Sequence, residues 1–309
     1  MDNNKLKDEP DLSKIVFFGS YPDAPDSRNI VIEEGIEEIC ENAFRDFENL
    51  EVITFPKSLK IIGASAFSGC KNLKTVNFSS GLLEISDEAF SSCPSLSSVI
   101  LPDTVKRIGE GAFEGCASLQ KLRLSESILM IGAGAFAYCF NLSDVVIPDS
   151  CILVELSAFS SCFSLEAVKL SENMGLIDES TFEGCRSLKT VEMPAMLSKI
   201  GRRAFKGCAS LSSLILPVNL KSIGFDAFSG CSSLRRVAIP KGIVELEDDD
   251  VFSLCDSLAE ISFGGSQSEW ELLLHGKALT VEKSNLTVSA PKVTFLNLGD
   301  ENGGKKIEV

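Results

Sequence analysis

A phenylalanine returns every 23 residues along most of this chain, at Phe44, Phe67, Phe90, Phe113, Phe136, Phe159, Phe182, Phe205 and Phe228. A tenth, Phe252, comes one residue late. Around each lies a recurring frame, clearest at Ile62-Gly63, Ala66-Phe67, Gly69-Cys70, Leu73, Val76 and Phe78. A fixed period of this length means one small unit copied and stacked, so that the core is continuous along the stack. The 309 residues are therefore read as a count of coils.

Within one coil the stretch after Leu73 alternates at period two. Val76 and Phe78 face one way, Thr75 and Asn77 the other, which predicts a short half-buried strand. Pro56, Pro102, Pro148, Pro194, Pro217 and Pro240 follow the equivalent strands and end them, because proline lacks the N–H that a ladder needs. A second apolar pair then turns inward, as Leu59 with Ile62 or Val105 with Ile108. Gly63, Gly109, Gly132, Gly201 and Gly224 are expected to form the tight corner after it. One coil cannot close a core, but stacking joins the strands into a parallel sheet and the phenylalanines into an internal column. At about 4.8 Å per strand, ten coils span on the order of 45–50 Å.

Both ends need covering. Residues 1–28 are expected to form an N-terminal cap, with Ile15-Val16-Phe17-Phe18 over Ile30, Ile32, Ile36 and Ile39. The repeats occupy 29–263, and 264–309 form a C-terminal cap. Its start, Ser266-Gln267-Ser268-Glu269, has the pattern of a helix capping box, with Gly276 as the stop and a last strand at 293–298.

The chain carries 29 basic and 44 acidic residues, a net charge of −15, which disfavours nucleic acid and anionic membrane as partners. No apolar run reaches the roughly 18–20 residues that span a bilayer. Met1 to Pro10 is polar and charged, unlike a signal peptide. As it stands the sequence reads as cytoplasmic; a leader removed from it would place it at the cell surface.

Little in the sequence suggests chemistry. Nine of the eleven cysteines, from Cys70 to Cys255, fall on the repeat, and Phe47 fills their slot in the first unit. A slot that accepts either residue is apolar. Stacked side chains run parallel, which suits neither disulfides nor a tetrahedral zinc site, so these are read as reduced, buried, small hydrophobes. The single histidine, His275, sits among leucines in the cap helix and is read as a helix-end residue. Asp248-Asp249-Asp250 accompanies the inserted residue and is read as a solvated acidic bulge, lacking the ligand spacing of a calcium loop. No catalytic residue, cofactor or metal is expected.

These residues carry a resemblance. Ala112-Phe113-Glu114-Gly115-Cys116-Ala117-Ser118-Leu119 and Ala227-Phe228-Ser229-Gly230-Cys231-Ser232-Ser233-Leu234 resemble the BspA-like leucine-rich repeat, A-F-x-G-C-x-S-L-x-x-V-x-L-P. Gly264-Gly265-Ser266-Gln267-Ser268-Glu269-Trp270 is similar to that family's closing segment. The resemblance implies a right-handed leucine-rich-repeat solenoid of about ten coils, its parallel sheet on the concave face. It also implies a non-enzymatic interaction scaffold, often at a cell surface.

The outward sheet positions lie one, two and four residues after each repeat leucine. They hold seven basic residues (Lys74, Lys121, Arg123, Lys169, Lys189, Arg235, Arg236) against five acidic ones (Glu51, Asp144, Glu166, Glu192, Glu260), in a chain where acids dominate. Val52, Ile100, Val146 and Ile215 add exposed aliphatics. Such a strip suits a protein ligand; a sugar would call for aromatics, which this face lacks. The expected site is Lys121, Arg123, Val146, Lys169, Ile215 and Arg236, on a monomer that binds a protein and inserts in no membrane. Two alternatives are a surface adhesin binding host or neighbouring-cell proteins, and a structural spacer whose concave face is idle. An enzyme would have to be built around His275 or the cysteines.

Overall fold

The computed structural model describes residues 27–247 and 249–275, with the short stretches 16–17, 281–282, 288–289, 291–295 and 307–308. Three-residue strands recur once per coil from Asn29–Val31 onward, and longer ones, Arg236–Ile239, Glu260–Phe263 and Lys292–Phe295, finish the series. Neighbours pair in parallel at equivalent positions, as Ile53 with Val76 and Val145 with Val168. Along a strand the middle residue is buried and its flanks are exposed, the Thr75–Asn77 pattern. This is the expected alternation. Backbone pairing runs in four groups, of three strands up to Thr75–Asn77, two, three from Asp144–Val146, and five from Ser213–Ile215.

A second ladder was not foreseen. The segment holding each second apolar pair contains a two-residue strand such as Ile61–Ile62, and these also pair in parallel from coil to coil. Leu59 and Ile62, Val105 and Ile108 are all fully buried, as expected. Val16–Phe17 extends this ladder by pairing with Glu38–Ile39. Ile15 and Phe18, the other residues of the expected lid, lie outside the described residues.

The phenylalanine corner is hydrogen-bonded between coils too, in the opposite sense. At the end of the two-residue strand Gly63 N reaches back to Ile39 O at 2.8 Å; at the corner Ser65, Phe67 and Gly69 donate forward to Asp87, Ala89 and Ser91 at 2.8–2.9 Å. From Phe44 to Phe228 the corner takes left-handed backbone two residues before and two after the phenylalanine: Ser65 and Gly69 around Phe67, Gly111 and Gly115 around Phe113, Arg203 and Gly207 around Phe205. Gly63, Gly109, Gly132, Gly201 and Gly224 do not supply it. They are glycine because a Cβ there would stand 2.3–2.7 Å from atoms of the coil before, mostly backbone.

Where a large side chain holds a left-handed position the backbone is strained by about 1–2 kcal/mol. Tyr138 does so, with φ of 60°. After the entropy cost of glycine, Tyr138→Gly is expected to stabilise the fold by about 0.5–1 kcal/mol, read as a rise in the denaturant midpoint. An unchanged or lower midpoint would mean that the tyrosine ring holds the corner together.

Inside the coils the phenylalanines stack. Successive rings from Phe67 to Phe252 lie 5.1–5.8 Å apart and within 15° of parallel. That spacing is slightly above the roughly 4.8 Å between strands, as for parallel rings stacked with an offset, and the three-residue ladder forms the concave face expected of the repeat. The extra residue near Asp248 is absorbed by a 3-10 turn, Asp249–Phe252, which delivers Val251 and Phe252 to the core fully buried.

After the last repeat, helix α1 (Gln267–Leu273) opens on Ser266, whose hydroxyl accepts from the Glu269 N–H while the Glu269 carboxylate accepts from the Ser266 N–H. That is the expected capping box. It buries Trp270 against Phe263, ring centroids 5.2 Å apart. Lys292–Phe295 then adds a further parallel strand, Phe263 opposite Phe295. Gly276 and the end of the expected last strand, 296–298, lie outside the described residues.

Candidate protein-binding face

The concave ladder fixes where the six expected site residues stand. Lys121 and Arg123 flank half-buried Leu122 on one strand, opposite Ser98 and Ile100. Val146 lies directly opposite Lys169, and Lys169 opposite Glu192. Arg236 lies between Ser213 and Glu260, and Ile215 opposite Ala238. The six therefore fall in three adjacent pairs on three successive paired groups of the sheet. Ile215 and Arg236 go further and line one depression of ≈ 400 Å³ together with Ser213, Ala238, Glu260, Ser262 and Thr294. Lys169 and Arg236 are three strands apart, about 14 Å.

Electrostatics divide the cations. Arg123 is held: one guanidinium nitrogen donates to the Leu101 carbonyl at 3.0 Å, the other to Asp103 at 2.7 Å. Lys74 and Lys189 are likewise paired, with Glu51 at 2.8 Å and Glu166 at 2.7 Å. Among the described residues, Lys121, Lys169, Arg235 and Arg236 have no carboxylate within ion-pair distance, and of the acids on the face Asp144, Glu192 and Glu260 have no cation within it, Glu51 and Glu166 being the paired ones; the face is left with four unneutralised cations against three unneutralised acids. Of the aliphatics, Ile215 is 81% exposed, Val146 59% and Ile100 50%, whereas Val52 is half-buried. Val31, on the first strand, is exposed and was missed because its coil has Ser27 where the others have leucine. Counting back 23 residues from Thr54 would have found it.

The groups that could have carried chemistry are dispersed or inert. His275 is exposed at the end of α1, with φ of 52°. No group of three or more metal-ligating side chains exists among the described residues. The repeat cysteines are fully buried, and each thiol donates to the carbonyl of a phenylalanine one coil back, from Cys70 to Phe44 at 3.1 Å through Cys255 to Phe228 at 3.2 Å. They are thus donors as well as small apolar fillers, a role the spacing did not disclose. Burial pushes the thiols of Cys70, Cys116, Cys185 and Cys255 up to about 12, which removes the thiolate that a nucleophile needs. Cys40 alone is part-exposed. A thiol reagent at pH 8 is expected to modify one cysteine of the folded chain quickly and the other ten slowly. A second fast thiol would reveal an opening in the stack.

No helix among the described residues is long and apolar enough to cross a membrane. The model of the BspA-type leucine-rich repeat region, with six copies, matches residues 37–166 and 153–272. This chain belongs to the BspA-type leucine-rich repeat proteins. Among solved structures, the BspA-type chain is similar to a leucine-rich repeat protein from Bacteroides ovatus, at 22% identity over 87% of this chain and 84% of that one, with a TM-score of 0.58. It is also similar to the pneumococcal vaccine antigen PcpA, at 25% identity over 82% of this chain and 75% of that one, with a TM-score of 0.56. No curated protein matches it. The BspA-type repeats account for the coil and the phenylalanine column.

Proposed function

We propose that this BspA-type solenoid is a non-enzymatic scaffold that binds a protein on its concave sheet. The observation that carries the reading is the co-location of unpaired cations, Lys121, Lys169 and Arg236, with the exposed aliphatics Val146 and Ile215 on one face of a chain whose net charge is −15. Fully hydrated cations beside apolar side chains are suited to recognition, because a partner carboxylate gains an ion pair while its neighbour gains apolar contact. Arg123 helps to shape the surface and contributes little net charge to it.

The test is capture from lysate and from intact-cell surface extract by the native chain and by a Lys121→Glu/Lys169→Glu/Arg236→Glu variant. Loss of a partner with the variant alone supports the concave face. Equal capture by both would sink it and favour the spacer reading. The similarity to a pneumococcal vaccine antigen favours a second reading, a surface adhesin. Labelling of the protein by an antibody on unpermeabilised cells would support that reading, and labelling only after permeabilisation would end it.

A further inference from the structure

A second surface lies outside the concave sheet, at the position immediately after each repeat cysteine. Most coils carry a small or polar residue there, but two consecutive coils carry Phe140 and Phe163. Their rings stack at 4.9 Å and 12°. Tyr138 meets Phe140 edge-on, centroids 6.3 Å apart. Tyr138 and Phe140 are both exposed, at 47% and 37%. At the far end the row is closed by the molecule itself: the Arg186 guanidinium lies over the Phe163 ring, 4.7 Å from its centroid. At the near end the equivalent position holds only Ala117. Among the described residues, no further stacked ring and no cation accompanies Phe140.

Charge decides what would fill that end. Tyr138 also lines a depression of ≈ 250 Å³ with Glu88, Glu110, Glu114 and Leu156. None of these three carboxylates has a cation within ion-pair distance among the described residues. Glu114 is part-buried, and burial, then Glu88 and Glu110, raise its carboxyl above the usual range. One aromatic wall therefore faces both an open ring and a concentration of uncompensated negative charge.

We propose that this edge docks a basic segment of a partner protein, with an arginine stacking on Phe140 beside Tyr138 and paired with the glutamates of the adjoining depression. Arg186 on Phe163 shows the same mode within the chain. A planar guanidinium can stack and hydrogen-bond at once, whereas a lysine ammonium is a compact, strongly hydrated charge. The proposal is independent of the concave-face reading, since it uses other residues and the opposite sign of charge.

The test uses the full chain and labelled hexa-arginine and hexa-lysine peptides, with fluorescence anisotropy at physiological salt. Phe140→Ser and Tyr138→Gly are each expected to weaken the arginine peptide roughly threefold to tenfold while barely moving the lysine peptide. Glu110→Gln/Glu114→Gln should weaken both. A charge-matched control, Glu33→Gln/Glu37→Gln, should leave both unchanged. Tyr138→Gly guards against misfolding, because it relaxes a strained backbone while removing the wall. The proposal is overturned if the native chain does not distinguish the two peptides, or if the control loses as much as the Glu110/Glu114 variant, which would mean diffuse attraction to an acidic surface. It is also overturned if sedimentation shows a native dimer that Phe140→Ser dissociates, since the occupant would then be a second copy.

Discussion

Phe136→Ala is expected to lower the unfolding free energy by about 3–5 kcal/mol and to divide one unfolding transition into two. Phe136 is fully buried, between Phe113 at 5.3 Å and Phe159 at 5.4 Å. Truncation opens a cavity in mid-column that the neighbouring coils cannot close, since their rings are fixed by inter-coil backbone hydrogen bonds such as Phe113 N to Ala135 O. In a stack held by nearest-neighbour contacts the weakened interface uncouples the coils on either side. Circular dichroism against denaturant would show this as a second step. Phe252, at the C-terminal end of the column, stacks on Phe228 at 5.7 Å, and Phe252→Ala should cost less and leave a single step. Equal losses at both positions would mean that each coil is stabilised on its own.

The second large effect is alkaline. Ten of the eleven thiols are buried, and folding raises them: Cys116 from the ordinary 9.0 to about 12, Cys151 to about 11, and Cys93, Cys139, Cys162, Cys208 and Cys231 well above 9.0. Burial is the first cause in every case. Below pH 9 both the folded and the unfolded chain hold these protons, and pH has no effect through them. Above pH 9 the unfolded chain releases protons that the folded chain retains, so stability falls with each step in pH until the native thiols titrate in their turn, Cys151 first. Each pH unit within that window removes about 1.4 kcal/mol per thiol. Ten acting together withdraw on the order of 10 kcal/mol per pH unit, comparable with the whole stability of a typical domain. Under reductant, the chain should therefore unfold sharply between pH 9 and 11 and refold on neutralisation. Replacing Cys93, Cys116 and Cys139 by alanine should make the fall in unfolding free energy shallower by about 4 kcal/mol per pH unit. A slope unchanged by that triple substitution would show that the thiols are not what the alkaline transition titrates.

What was readable in advance was what every coil shares. Phe67, Cys70, Leu73 and Val76 face the same surroundings in each unit, so their spacing disclosed the column, the strand alternation and the end of the stack. Ser266 and Glu269 disclosed the helix cap because both partners lie within one turn. The second ladder escaped because a two-residue strand such as Ile61–Ile62 is too short to show a period. The glycines after it were misread because close approach of two backbones and left-handed geometry select the same residue. Site features were the hardest to see. Phe140, Phe163 and Arg186 occupy a position that is Lys71, Pro94 or Ala117 elsewhere, so a reading built on repetition averages them away. The pinning of Arg123 depends on Asp103, 20 residues earlier, a contact that exists only once the coils are stacked.

The uniform register has a consequence for how such a gene can change. Because coil and coil meet through the same atoms at each step, as Phe44 N to Ala66 O and Phe182 N to Ala204 O show, unequal crossing-over between any two repeats yields a reading frame whose product is still in phase. Losing or gaining 23 codons would alter the length of the concave face by one strand, about 4.8 Å, and leave every surviving interface intact. The exception is the unit with the added residue before Phe252: an exchange within it would carry the extra residue into a corner that has no 3-10 turn to absorb it. Variation in repeat number is therefore expected on the N-terminal side of residue 240, with the last coil and its helix inherited as a block.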